Sequence, residues 1–190
     1  MTPRQHILDA LLRVGATRGL DAVSVRSVAT EAAVSPAQVQ YYFSSKDRLL
    51  AAAFRHVHDR MGLRAAAVDP TGTPPEVLRR HLLTWLPLDG ERRADASIWL
   101  AFTAAATTSP QLEEIVRETD AVVISALARL LAEGQTLGAF RPDLEPSPTA
   151  SLLLAVVDGL TVRALTHPDP GLVLPVLDQF LLTLHTHPGA

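Results

Sequence analysis

The sequence predicts an all-α protein of about nine helices, in which a three-helix helix-turn-helix head is joined by a long helix to a larger helical body. Three observations carry that expectation. A Ser/Thr-Pro pair recurs at five places, apolar residues between those pairs recur at helical spacing, and no segment alternates with period two between hairpin turns.

The pairs are Thr2-Pro3, Ser35-Pro36, Thr73-Pro74, Ser109-Pro110 and Ser147-Pro148. Proline holds the residue before it in the extended region that an N-cap requires, and its missing N–H is no loss at the first helical position. Each pair therefore marks a helix start. Three of them carry the reciprocal cap three residues on: Thr2 with Gln5, Ser35 with Gln38, and Thr73 with Glu76.

Four further helices follow from periodicity. Ser24 caps a segment with Val25, Val28, Ala29 and Ala32 on one side. Ser44 with Asp47 opens the long helix, in which Leu50, Phe54, Val57 and Met61 share a stripe. A third helix follows Gly90 and carries Ile98, Trp99 and Phe102. The last runs from about Leu172 to His185, with Leu174, Leu177, Leu181 and Leu184 in register and Pro175 inside its first turn. Breaks are expected at 19–22, 69–75, 87–90, 138–147 and 166–171. The simplest partition is a head over residues 1–45 and a body over 46–190.

Composition narrows the function. At 47% hydrophobic and 19% charged residues, a packed core is easily formed. The absence of Cys removes disulfides, thiolate metal sites and Cys nucleophiles, and fits a cytoplasmic protein. Arg4, His6, Asp9 and Arg13 interrupt any signal-peptide core. The apolar runs near 151–165 and 172–184 carry Asp158, Arg163 and Asp178 and read as too short and too interrupted to span a bilayer. No phosphate loop, nucleophile elbow or HExxH occurs, so neither catalysis nor a cofactor nor a metal is expected. The net charge of −3 is uneven: residues 1–60 hold eight Lys/Arg against five Asp/Glu, the rest nine against fifteen. A basic head on an acidic body suits a polyanion at the head, but charge alone does not decide between that and scatter.

The head decides more. Helices at about 25–32 and 36–42 are separated by Ala33-Val34-Ser35, the length of a helix-turn-helix turn. Val28, Ala29 and Val39 fit against Ile7, Leu11, Leu12 and Phe43, which leaves Ala37, Gln38, Gln40 and Tyr41 facing out. Amide side chains on a helix N-terminus suit the major groove, where they pair with adenine edges. Tyr42, Ser44 and Lys46, the only lysine, follow where a backbone phosphate passes. The alternative is a three-helix cluster with a polar face and no nucleic-acid partner.

From Ile7 to Phe54 the chain resembles the DNA-binding domain of TetR-family transcriptional repressors, through ILDALLRVGATRGLDAVSVRSVA, then VS, then YFSSKDRLL. The body is similar to that of the betaine-regulator branch in WLAF, EGQTLGAF and VVDGL. The resemblance implies phosphate contacts at Ser24, Tyr42 and Lys46 and base contacts at Ala37, Gln38, Gln40 and Tyr41. Arg26 and Ser35 complete the expected DNA-binding set. Two departures stand out: Ala33 occupies a turn position where the family often has Gly, and Gln40 one where it often has Tyr.

The resemblance also implies a homodimeric, ligand-responsive repressor on a palindromic operator, with half-sites about 10–11 bp apart or a multiple of that. An all-α small-molecule binding protein without DNA binding is the rival reading. The effector is expected to be hydrophobic or cationic. Phe54, Met61, Trp85 (on the helix begun at Pro74), Trp99, Phe102, Asp120, Ile124 and Val157 are the expected pocket, with the core as the alternative place for the aromatics. The two most apolar helices, about 148–166 and 171–186, are expected to form the dimer interface through Leu153, Val156, Val157, Leu160, Leu177, Leu181 and Leu184. His56 with His58, His185 with His187, Arg79 with Arg80 and Arg92 with Arg93 read as solvated surface.

Overall fold

The structure is a computed structural model that describes residues 2–19, 22–167, 171 and 173–186. Among these it contains nine helices: α1 (Pro3–Arg18), α2 (Val25–Glu31), α3 (Pro36–Tyr42), α4 (Lys46–Ala66), α5 (Pro74–Leu83), α6 (Gly90–Ala106), α7 (Pro110–Thr136), α8 (Pro146–Thr166) and α9 (Val173–Leu182). No strand occurs among the described residues, only an isolated bridge between Phe140 and His185.

The caps account for most boundaries. Thr2 accepts the Gln5 N–H while the Gln5 side chain takes the Thr2 N–H, and Glu76 reaches back to the Thr73 N–H at 2.8 Å. Three expectations shift. Gln38 does not close a box with Ser35; only the Ser35 hydroxyl caps, accepting the Gln38 N–H at 3.1 Å. The start of α4 is capped by Ser45, whose Oγ accepts the Arg48 N–H, rather than by Ser44. The eighth helix starts at Glu145-Pro146, a proline pair two residues ahead of Ser147-Pro148. Of the expected breaks, 20–21 and 168–170 lie outside the described residues, as do Leu172 and His187.

The chain divides into two compact units: Met1–Gly62 with Asp89–Val116, and Leu63–Leu88 with Arg117–Ala190. These packing units differ from a cut at residue 45, because the core of the first extends beyond the helix-turn-helix. Ile7, Leu8, Leu11, Val28, Val39 and Phe43 continue into Phe54, Ile98, Phe102, Leu112 and Ile115. The Phe54 and Phe102 rings stack 4.0 Å apart at 17°, and burying each such side chain contributes about 1.5–3 kcal/mol. Arg60 on α4 pairs with Glu91 at 2.5 Å and with buried Asp95 at 3.6 Å, both on α6. Residue 54 thus meets 102 and residue 60 meets 91 and 95, so α4 and α6 run antiparallel.

The second unit is built on Leu78, Leu82, Leu127, Leu131, Phe140, Leu153, Val157, Leu160, Leu177 and Leu181. Arg79 on α5 grips Asp178 on α9 with two bonds, Nε to Oδ1 at 2.5 Å and Nη2 to Oδ2 at 3.1 Å. Neither Arg79 nor Arg92 is a merely solvated charge; Arg92 meets Asp89 at 2.8 Å. A Cβ on Gly134 would lie 2.3 Å from the Phe140 ring, so glycine there lets Phe140 seat against α7. By length and composition α8 passes as a membrane span, contrary to the shorter run read from sequence; 39% of its most apolar window is buried in the chain.

Candidate nucleic-acid interface and effector residues

The helix-turn-helix is held from behind by polar links as well as by its core. His6 Nε2–H donates to the Ala32 carbonyl at 2.8 Å, and Arg13 bonds Glu31 at 2.8 Å, so α1 grips the end of α2 twice. The turn closes as a Schellman motif: the Val34 N–H reaches the Ala29 carbonyl at 2.9 Å and the Ala33 N–H the Thr30 carbonyl at 3.2 Å. That motif needs a left-handed residue, and Ala33 supplies it at φ 53°. A side chain there costs about 1 kcal/mol, so the departure from Gly is a real strain. Arg4 lies 5.5 Å over the Phe43 ring, tying the N-terminus of α1 to the end of α3.

Held this way, α3 buries only Val39. Ala37, Gln38, Gln40, Tyr41 and Tyr42 all face solvent, as do Ser24, Arg26, Ser35 and Lys46. Tyr41 is 83% exposed, an unusual state for an aromatic ring, and its ring meets Tyr42 edge-on at 5.1 Å. The missing box at Ser35 frees the Gln38 amide. Ser24 is more committed: its oxygen accepts the Ser27 N–H at 3.1 Å and lies 3.0 Å from the Ser27 hydroxyl. Exposed Arg48, two residues beyond Lys46, adds a positive charge that spacing alone did not single out.

The residues expected to hold an effector separate into the two units. Phe54, Met61, Trp99 and Phe102 belong to the first, where Phe54 and Phe102 are fully buried and Met61 and Trp99 half-buried. Trp85, Asp120, Ile124 and Val157 belong to the second, and Trp85 sits in the turn after α5 rather than on it. Asp120 on α7 has a partner that the sequence mentioned only as an interruption: Asp158, in the middle of α8. Burial, and then the charge of Asp120, push the Asp158 carboxyl up to about 7. Burial alone raises Asp120. In the first unit, burial holds the His58 imidazole down at about 4 against the opposing pull of Asp59, and its ring lies 4.4 Å from Phe54. His56 donates to Asp9 at 3.1 Å, so this pair is not free surface either.

The residues expected at a dimer interface are mostly buried within the single chain. Leu153, Leu160, Leu177, Leu181 and Leu184, like Val157, point into the core of the second unit, and Val156 is half-buried. The apolar surplus lies one step around each helix, where Leu152, Val176 and Leu182 are 51%, 49% and 54% exposed.

Residues 7–53 match the model of bacterial regulatory proteins of the tetR family, and residues 74–185 match that of the BetI-type transcriptional repressor C-terminal domain. The chain belongs to the TetR family. It is a DNA-binding transcriptional regulator and not an enzyme. The BetI regulator of Rhizobium meliloti (strain 1021) is 32% identical over 163 residues, covering 84% of this chain and 76% of that one. A transcriptional regulator from Rhodococcus sp. Rha1 superposes with TM-score 0.86 at 35% identity over 96% of both chains. A regulator from Saccharomonospora viridis, solved in complex with choline, gives TM-score 0.88 at 26% identity over 97% of this chain and 98% of that one.

Proposed function

We propose that this TetR-family protein is a cytoplasmic homodimeric repressor that binds a palindromic operator and is released by a small apolar cation. The observation that carries the DNA half is the outward face of α3, where Gln38, Gln40 and Tyr41 stand exposed, with Lys46 following on α4. Amides and a ring on that face read base edges; Lys46, Tyr42 and Arg26 take phosphates and fix the register. Ser24 serves first as the α2 cap.

Two copies are required for a palindrome. The surface that suits pairing is the outer side of α8 and α9, with Leu152, Ala155, Gly159, Val176 and Leu182. No atom lies within 4 Å of where a Gly159 Cβ would stand, so a second helix can approach closely there. Two helices from each copy would form a four-helix interface.

The effector chemistry follows from Asp120 and Asp158. Two half-buried carboxylates that repel each other favour any ligand that brings a positive charge, and Trp85, Ile124 and Val157 in the same unit supply apolar surface. The choline seen in the Saccharomonospora viridis regulator agrees with that class. Such a ligand releases DNA only by the margin with which it prefers the non-binding state.

The test is a gel-shift titration of DNA upstream of the protein's own gene across salt concentrations, with and without choline. Lys46→Ala should weaken all sequences alike, whereas Gln40→Ala should change which bases are preferred. An unchanged affinity and salt slope for Lys46→Ala would refute the phosphate assignment.

A further inference from the structure

Two helix stripes in the second unit are left over once its core is packed. On α5, Leu78 and Leu82 turn inward, and Pro74, Val77 and His81 follow one another at helical spacing on the adjoining side. On α7, Leu127 and Leu131 turn inward, and Leu130, Glu133 and Gly134 form the corresponding stripe, with Leu137 just past the helix end. The two stripes line one cleft of about 260 Å³, bordered by Pro70 and Gly72 of the loop between α4 and α5. None of the residues assigned to the effector or to DNA lines it.

The bordering loop is fixed by its own side chains. The Thr71 N–H bonds Asp69 at 2.9 Å, the Thr73 N–H and hydroxyl bond Glu76 at 2.8 and 2.9 Å, and Arg80 Nη2 donates to the Thr71 carbonyl. Gly72 permits this path: its φ is 111°, and a Cβ there would lie 2.7 Å from the Glu76 carboxylate. The charge of Arg80 is answered at the loop, since it acts on both Asp69 and Glu76. Inside the cleft the charge is unmatched. Neither the Glu133 carboxylate nor the His81 ring makes a hydrogen bond or ion pair with a described residue. Burial, and then the charge of Arg80, lower the His81 imidazole, so at pH 7 it is neutral and does not oppose a cation beside it.

We propose that this cleft is a second small-molecule site, which binds a primary amine with a single apolar ring, its ammonium on Glu133 and its ring against Val77, Leu130 and the two prolines. Size follows from the volume: drug-sized sites run to about 300–1,000 Å³, and 260 Å³ holds one ring with a short arm. The sign follows from Glu133. The class follows from the walls, which hold no Phe, Tyr or Trp. A quaternary ammonium is gripped by aromatic faces, whereas a primary ammonium donates N–H bonds to a carboxylate. The site is separate from Asp120 and Asp158 and does not depend on the cationic-effector reading.

Benzylamine, benzyl alcohol and benzyltrimethylammonium share the ring and differ in charge and in N–H groups. Each is titrated at pH 7 into the 15N-labelled full chain while the backbone amides of Gly72, Val77, Gly134 and Leu137 are followed. Benzylamine should move these amides together and bind at least about fivefold more tightly than either of the others, as one partly screened charge-assisted hydrogen bond provides. Glu133→Gln should bring benzylamine level with benzyl alcohol, and because Glu133 is exposed the variant keeps the fold. Cleft amides that stay fixed throughout the benzylamine titration would overturn the proposal. So would benzyltrimethylammonium binding there as tightly as benzylamine, or an amine preference that survives Glu133→Gln. Choline, followed at the Trp85 indole, should bind Glu133→Gln as it binds the native chain. A native chain that ignores choline yet takes benzylamine at the cleft counts against the effector reading alone.

Discussion

Replacing Asp158 with Asn probes the second unit most directly, because the sign and size of its effect follow from where the carboxyl sits. In the fold this group titrates at about 7 against 3.8 for an exposed aspartate, the displacement coming first from burial and then from the charge of Asp120. The difference of about three pKa units corresponds to about 4 kcal/mol. Part of the side chain still meets water, and screening reduces this to about 2 kcal/mol. A group raised in the folded state contributes its stability in full below the unfolded value, and loses it as pH rises through the folded value. Native protein should therefore match Asp158→Asn only below about pH 4, have lost about a third of the margin by pH 5, and fall below the variant by about 2 kcal/mol at pH 8. The difference between the two proteins is the quantity to follow, in urea titrations at pH 5, 6, 7 and 8, since His58 titrates in both. Binding adds a second reading from the same group. If choline needs the ionised carboxylate, its affinity should rise about tenfold between pH 6 and pH 8 in native protein and stay level in the variant. A stability difference that is flat from pH 5 to pH 8, with choline affinity equal at both ends, would refute the placement of a raised carboxyl beside the effector.

Four other predictions follow from the geometry. Ala33→Gly should raise stability by about 1 kcal/mol, read from the urea midpoint, because it relieves the left-handed strain at φ 53° without removing a contact. Lys46→Ala should lower the slope of log affinity against log salt by about one unit, as expected for one lost phosphate contact. Leu152→Glu with Leu182→Glu should give folded monomers in light scattering, whereas Leu160→Glu, which buries a charge at a 7% exposed position, should unfold the second unit. Arg79→Met should cost about 0.5–1 kcal/mol in low salt and less in high salt, since the Asp178 pair is partly exposed; Asp178, now held below the usual carboxylate range by Arg79, should return toward it.

The head was legible because its signals are local. Ser35-Pro36, the turn length and the lone buried Val39 fix a short helix whose polar face has one way to point, and each feature acts within a few residues. Ala33 stood out through the resemblance, as a position where the family often has Gly, and its φ of 53° is the strain that this departure carries. Cap positions slipped by a residue at Ser45 because adjacent serines offer the same hydroxyl, and only the arriving N–H of Arg48 distinguishes them.

The body was less legible because its information is relational. In α8 the run LLLAVVDGLTV is apolar on nearly every side, so periodicity does not say which stripe meets the core and which stays outside. Packing against α9 and α5 settles it: the leucines at 153, 160, 177 and 181 turn inward, and Leu152, Val176 and Leu182 remain outside. Asp158 illustrates the same limit from the other side. As a letter in an apolar run it argues against a membrane span. As a side chain near Asp120, on a neighbouring helix 38 residues away, it becomes the most perturbed carboxyl in the second unit. His58 follows suit, since two residues of spacing from His56 suggested two unrelated surface rings. Packing instead gives His56 the Asp9 carboxylate of α1, and His58 the Phe54 ring one turn back on α4, itself stacked on Phe102 of α6. Chemistry that depends on which helices are neighbours is written only in the packed chain, and the proposed effector residues are of that kind.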